Sequence, residues 1–373
     1  MGADTKIEWC DHTFNPWYGC TKVSPGCEHC YAEGWAKRSG LVRWGPFANR
    51  RRSREENWRK VIRWNADAAL CRIIGGEIWL GKPGADRVIA YPFDGVKSDI
   101  TRQGQFPLDG WESATRWRPR VFCASLADWL DDAVPIEWLR DLLNLIRLTP
   151  NLDWLLLSKR PQNWKRRINE AFIYKYLHGT GPSDPVFLTS LMADEWQDGN
   201  PPANVWIGTT VEDQKRADER IPLLLSIPAR VRFLSCEPLL ESVDLGLIGT
   251  CPREWCKGYS PVGSHIHWVI AGGESGPKSR PMHPDWARSL RDQCQASGVP
   301  FLFKQWGESV PDRDRAKRCD INLAFWMLAD GSTGKGQPQP EGCEWMARVG
   351  KHDAGRLLDG VEHNASPQIG GAA

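Results

Sequence analysis

From residue 121 onward, short apolar runs alternate with stretches of helical periodicity. Val121–Leu126, Trp154–Ser158, Val205–Val211, Val231–Cys236, Trp268–Gly272 and Pro300–Lys304 read as strands. Ile136–Leu148, Gln162–Ala171, Asp213–Ser226 and Asp285–Ser297 read as helices, the first with Pro135 at its start. Strands that are apolar along their whole length and separated by helices are covered on both faces, which is the signature of a parallel sheet. The count, roughly six or seven strand–helix units, fits an α/β fold built as a partial or full parallel (β/α) barrel better than a small doubly wound sheet. Residues 1–310 are expected to form the barrel, with Lys6–Cys10 as its first strand. An inserted excursion at about residues 71–120 holds two β-like runs, Glu77–Leu80 and Arg87–Ala90, that read as a hairpin. Residues 311–373 are expected to be a polar extension, with Gly331–Gly336 as a mobile loop.

Ahead of this rhythm, Gly19–Glu33 carries Cys20, Cys27 and Cys30 in a C-x6-C-x2-C arrangement. Ser24-Pro25-Gly26-Cys27 has the residues of a tight turn, which folds Cys20 back toward the other two. A helix expected from Glu28 to about Arg38 would set Cys27 and Cys30 at its N-terminus, where the dipole favours thiolate. The set leaves three readings: a [4Fe–4S] cluster, a zinc site completed by His12 or His29, or thiols that merely pack. Three cysteines on a four-iron cluster leave one iron open, and an open iron can take S-adenosylmethionine (SAM) for radical chemistry. The usual radical-SAM spacing is C-x3-C-x2-C with an aromatic before the last cysteine; here that place holds His29, so the match is to a variant.

Barrel enzymes gather their functional groups where strands end and loops begin. The expected strand ends supply Ser125 and Asp128; Ser158, Lys159 and Arg160; Thr209, Thr210, Glu212 and Asp213; Ser235 and Glu237; Gly272, Gly273, Glu274 and Ser275; and Lys304 and Gln305. Helix capping explains some of these singly, but a ring of them points to a site. Ser125, Asp128, Ser158, Thr210, Glu212, Glu237, Gly272, Gly273 and Glu274 are the candidates for holding SAM or substrate, and Lys159, Glu274 and Lys304 the candidates for catalysis. Gly272–Gly276 matches neither the dinucleotide nor the Walker fingerprint, and Glu274 suits an ammonium or ribose hydroxyl rather than a phosphate.

Charge excludes a global field: 48 Lys and Arg against 46 Asp and Glu leave +2, so any nucleic-acid contact must be local. The local candidate is the run Arg50, Arg51, Arg52 and Arg54, beside Trp58 and Trp64 as stacking rings. Twelve cysteines without a signal peptide or an apolar run of membrane-spanning length point to a reducing cytoplasm. Cys251, Cys256, His265 and His267 are a second metal candidate, although their spacing matches no standard finger.

Over almost its whole length the chain resembles bacteriophage and prophage proteins of unassigned function that carry a three-cysteine, radical-SAM-like motif. The likeness rests on Ile7-Glu8-Trp9, Asp11-His12-Thr13, Asn15-Pro16-Trp17, residues 19–33, 121–128, 155–161, 204–213 and 217–222, Ser235–Leu239, and residues 268–284, 300–308 and 355–360. It implies a radical-SAM barrel of the TIM-like type with the cluster on Cys20, Cys27 and Cys30, and it names no substrate. The expected activity is reductive cleavage of SAM, with the electron from a flavodoxin- or ferredoxin-like protein. The substrate is open, with a nucleotide or nucleic acid favoured by distant similarity to DNA-lesion lyases. The rivals are a zinc- or cluster-stabilised nucleic-acid-binding protein without catalysis, and a phosphate-handling barrel that uses Lys159 and the Gly272–Gly276 loop.

Overall fold

The computed structural model describes residues 5, 7–74, 77–80, 88–92, 102–104, 115–178, 184–248, 262–312, 323–336 and 340–367. Its central sheet has seven parallel strands: β1 (His12–Phe14), β2 (Arg120–Cys123), β3 (Asp153–Ser158), β4 (Val205–Thr210), β5 (Val231–Cys236), β6 (Trp268–Gly272) and β7 (Phe301–Gln305). They pair side by side in chain order, and the sheet curls into a half-barrel. Sequential neighbours in parallel need crossovers, and among the described residues α-helices lie in every one but that between β5 and β6. Those helices are α1 (Tyr31–Ser39), α2 (Glu55–Ala68), α3 (Ile136–Leu148), α4 (Trp164–His178), α5 (Pro185–Gln197), α6 (Gln214–Ser226) and α7 (Pro284–Ser297).

Side chains alternate across the sheet and sort into two cores. On the convex side α3 buries Leu139, Leu142, Leu143 and Ile146, which belong to one large cluster with Trp154, Ile207 and Val269 of the sheet. The concave side holds a smaller cluster of Trp9, Phe122, Leu155, Trp206, Phe233, Trp268, Ile270 and Leu302. Trp9 lies 4.4 Å from the Phe122 ring centroid and meets Trp268 edge-on at 6.3 Å, a preferred geometry for aromatic pairs. Gly208 of β4 makes this packing possible, because a Cβ there would lie 2.4 Å from the Phe233 ring.

The first strand differs from expectation. Residues 7–10 form a turn, closed by the Cys10 N–H on the Ile7 carbonyl at 3.3 Å. Trp9 and Cys10 are buried as part of the concave core instead of pairing in the sheet, and β1 begins at His12. An apolar, alternating run suits a buried plug as well as a strand. Helix α5 has no counterpart in the sequence reading, although Asp184 and Pro185 carry its start: the Asp184 carboxylate accepts from the Val186 N–H at 2.7 Å.

The excursion contains five antiparallel strands among the described residues, Cys71–Ile74, Glu77–Leu80, Val88–Pro92, Arg102–Gly104 and Thr115–Arg116. The expected pairing of its two β-like runs is present, Glu77 opposite Pro92 and Leu80 opposite Ile89, within this larger sheet. In the C-terminal extension, Ser309–Pro311, Ala324–Met327, Thr333–Gly334 and Glu344–Arg348 form an antiparallel sheet. Thr333–Gly334, expected to lie in a mobile loop, pairs with Met327 and Trp326. The tail then covers the edge of β7, where the Phe303 N–H donates to the His363 carbonyl at 2.9 Å. Among the described residues no helix is long and apolar enough to cross a membrane.

Candidate functional site

A cavity of about 450 Å³ opens at the C-terminal ends of the strands. Its lining joins Cys20, Cys27 and Cys30 to groups from successive strand ends: Ser125 and Asp128 after β2, Ser158 of β3 with Lys159 and Arg160 after it, Thr210 of β4, Ser235 of β5 with Glu237 after it, Gly273 and Glu274 after β6, and Lys304 and Gln305 of β7. Trp9 and Phe122 of the concave core form its apolar wall. Ala124, also in the wall, has φ 63°. A non-glycine residue held in that region is a local strain of the kind found at functional sites.

The cysteine loop is gripped from four sides by charged groups. Ser24–Cys27 forms the expected turn, with the Cys27 N–H on the Ser24 carbonyl at 2.9 Å. Beneath it the Gly26 N–H donates to Glu212 Oε1 at 3.3 Å, and a Cβ on Gly26 would stand 3.1 Å from that carboxylate. Glu212 is fully buried and takes Arg220 Nη1 on its other oxygen at 2.7 Å. Burial pushes its pKa up, but Arg220, Lys159 and Ser24 more than offset this and hold it below the usual range. Arg160 donates to Cys20 Sγ at 3.4 Å and to the Thr21 carbonyl at 2.8 Å, while ion-paired to Asp128 at 2.9 Å. Arg280 reaches across from the β6–α7 loop to the Pro25 carbonyl at 2.9 Å, and pairs with Glu274 at 2.7 Å and Glu28 at 3.1 Å. Arg50 closes the fourth side, on Asp131 at 2.8 Å and Thr21 Oγ1 at 2.9 Å.

The thiols do not have the electrostatics expected of them. Helix α1 starts at Tyr31 with Cys30 as its N-cap, and Cys27 sits in a separate 3-10 turn, Pro25–Cys27. Burial pushes Cys20 up to about 11, against the pull of Arg160, and pushes Cys30 up as well. At Cys20 and Cys30 burial thus works against the thiolate. Among the described residues no three His, Cys, Asp or Glu groups stand close enough for a single metal ion. Of the proposed fourth zinc ligands, His29 lines the same cavity and His12 does not. His12 stacks on Trp64 at 4.3 Å, and His29 Nδ1 is 3.1 Å from Glu274 Oε2. Three thiols around one cavity suit a cluster, whose ligands spread over several irons.

The strand-end residues divide into scaffold and free groups. Asp128 has no oxygen to spare: Ser158 Oγ and the Leu130 N–H donate to Oδ1 at 2.6 and 3.0 Å, and the Lys159 N–H and Arg160 to Oδ2 at 3.0 and 2.9 Å. Glu274 is consumed by Arg280 and His29; burial raises its pKa, and Arg280 brings it net down. Glu212 lies behind the loop and is outside the cavity lining. The close approach expected of Gly272 and Gly273 is to protein, since Cβ atoms there would lie 2.7 Å from Glu237 Oε1 and 2.0 Å from the Trp306 carbonyl. What remains facing the cavity is Lys159, Thr210, whose buried hydroxyl has no partner, Ser235, and the ion pair of Lys304 with Glu237 at 3.1 Å. Burial lowers the pKa of Lys304, but Glu237 and Glu8 raise it net, so the ammonium keeps its charge.

Contacts bear on the other expectations. Arg50 and Arg52 are in internal ion pairs, with Asp131 and with Asp141 at 2.7 Å, and Arg52 lies 4.2 Å over the Trp58 ring. Neither they nor Trp58, buried against Phe14, is a free nucleic-acid contact. Arg51 and Arg54 stay exposed. His267 Nδ1 accepts from the Arg232 N–H at 3.1 Å; Cys251 and Cys256 lie outside the described residues. Cys123 and Cys236 are buried inside strands, as expected. Arg280 and Arg220 are the loop-holding side chains to which sequence reasoning assigned no role, although both lie in segments that carry the resemblance, 268–284 and 217–222.

A family described as "Protein of unknown function (DUF5131)" matches residues 4–367. The chain belongs to that family. No curated protein and no solved structure matches it.

Proposed function

We propose that this DUF5131 protein is a radical SAM enzyme, with Cys20, Cys27 and Cys30 holding a [4Fe–4S] cluster. The observation that carries the reading is that all three cysteines line the same cavity as the unpaired polar groups of the strand ends. The bound cluster, SAM and one electron together supply a carbon radical able to abstract hydrogen from an unreactive position. The chain's own part is to hold, orient and shield. Arg160, Glu212 and Arg280 fix the loop, and Arg160 eases ionisation of Cys20 against burial. Lys159 does the same for Cys30 through its field. Glu237 and Lys304 offer a carboxylate and an ammonium side by side, which fits a ligand carrying both charges, such as the amino-acid end of SAM. Thr210 and Ser235 add hydroxyls, and Trp9 and Phe122 keep water from the deep wall. The electron would come from a flavodoxin- or ferredoxin-like donor, and a nucleotide or nucleic acid is the substrate class we favour.

The test is anaerobic reconstitution with iron and sulfide, reduction, and detection of 5′-deoxyadenosine and methionine from SAM. We expect both products in the reduced protein and neither in Cys27→Ser. A full cluster that cleaves no SAM contradicts the proposal. Lys304→Met should raise the KM for SAM by about tenfold or more, the effect of removing one charge-assisted hydrogen bond.

A further inference from the structure

We propose that the surface beside the cavity mouth, formed by α1 and the segment that follows it, docks a single-stranded nucleic acid, with Phe47 stacking on a base. This deepens the reading above by naming the substrate class of the same site, and it rests on that reading only for what happens after docking.

Three observations lead there. First, Phe47 is 99% exposed, yet its turn is firmly held. The Ala48 N–H closes Gly45–Ala48 on the Gly45 carbonyl at 3.3 Å, and the Gly45 N–H is tied to the Cys20 carbonyl at 3.0 Å. From below, buried Arg50 donates to the Gly45 carbonyl at 3.1 Å and the Ala48 carbonyl at 2.7 Å. An aromatic ring kept wholly in water on an anchored turn loses hydrophobic stabilisation with no packing in return, unless a flat partner covers it. Second, the turn leads into the site. Trp44, immediately before it, lines the cavity together with Val23 and Tyr31, which are 44% and 58% exposed.

Third, the charge around the turn is mostly positive. Between Tyr31 and Arg54 there are seven Lys and Arg residues and one acid, Glu33. Asp131 and Asp141 neutralise Arg50 and Arg52 from outside the segment, and Lys22 and Lys37 share Glu33. Arg38, Arg43, Arg51 and Arg54 remain exposed. Glu55 and Glu56, also exposed, open the next helix, α2. A basic rim that tracks a backbone, together with an aromatic platform open to any base, is the chemistry of single-strand binding. A duplex keeps its bases stacked inside and has no face to offer Phe47, which favours the single strand. The phosphate-binding role thus passes from Arg50 and Arg52, which build the turn, to their exposed neighbours.

The test uses full-length protein and a fluorescein-labelled oligothymidylate, with affinity read by anisotropy across a salt series. We expect affinity to fall with salt. In Arg38→Gln/Arg43→Gln/Arg54→Gln, the log–log salt slope should drop by about two, near 0.7 for each phosphate that is no longer neutralised. Phe47→Ala should bind about tenfold more weakly with its salt slope unchanged, as expected when one base is left unstacked. Unchanged circular dichroism and thermal unfolding confirm that both variants fold. If polyglutamate competes as well as oligothymidylate and Phe47→Ala binds normally, the patch is a dock for an acidic protein and the inference is wrong. If wild type does not bind, or the variants bind as wild type does, it is equally wrong. Oligonucleotide binding needs neither cluster nor SAM, so its failure beside intact SAM cleavage sinks this inference alone, and the converse sinks the enzymatic reading alone.

Discussion

At the N-terminal ends of the strands the Arg120 N–H donates to Asp11 at 2.7 Å, Arg118 pairs with Asp153 at 3.2 Å, and the Arg120 guanidinium lies 5.8 Å over both Trp117 and Trp268. At the C-terminal ends Asp128, Glu212 and Glu274 are paired just as thoroughly with Arg160, Arg220 and Arg280. The difference lies in what the pairs hold. At the lower end they clasp strand to strand against tryptophan, whereas at the upper end three arginine–carboxylate pairs stand behind one loop and leave a cavity before it. Buried charge alone therefore does not mark a site; buried charge that holds a loop open over free polar groups does.

The comparison is broken most sharply by Asp128→Ala, which removes the acceptor of four donors and leaves Arg160 buried without its carboxylate. We expect a loss of about 3–5 kcal/mol in urea unfolding, as for any buried pair cut on one side; a loss below about 1 kcal/mol would show that the upper pairs hold nothing. Glu212→Gln keeps the shape but not the charge, and should cost about 1–3 kcal/mol. Its diagnostic effect is local: iodoacetamide should modify Cys27 faster than in wild type, with Cys294, buried far along the chain, still protected.

Asp153 tests the lower end by pH. Burial raises its carboxyl to about 6, despite Arg118 and Arg120. A pKa higher in the fold than in the unfolded chain means that the proton stabilises the fold. This contribution is complete below about pH 4 and is lost as pH rises through about 6. Asp153→Asn should remove that decline, so wild type minus variant shifts by about 2 kcal/mol between pH 4 and pH 7; a flat difference refutes the assignment. Least in size, Ala124→Gly should stabilise by about 0.5–1 kcal/mol by relieving the positive φ at the cavity wall, with loss of stability as the contrary result.

The sheet is legible in the sequence because its strands are apolar throughout, a pattern that admits little but a covered parallel sheet. The loop itself is legible too, since three cysteines within eleven residues need no partner to be noticed. The struts are not, because Gly26 and Glu212 are 186 residues apart and Arg280 and Pro25 are 255 apart. For the same reason Arg50 reads as a free cation: its partner Asp131 is 81 positions away. Residues 7–10 mislead because a plug and a strand share one pattern, and the strand-end carboxylates mislead because composition cannot say which oxygens are already taken.

Iron and sulfide content of protein purified without oxygen tests most directly whether the loop holds an iron–sulfur cluster. About four irons and four sulfides per chain are expected, lost together in Cys20→Ser, Cys27→Ser and Cys30→Ser. Stoichiometric zinc without sulfide, or iron retained when all three cysteines are replaced, would contradict it.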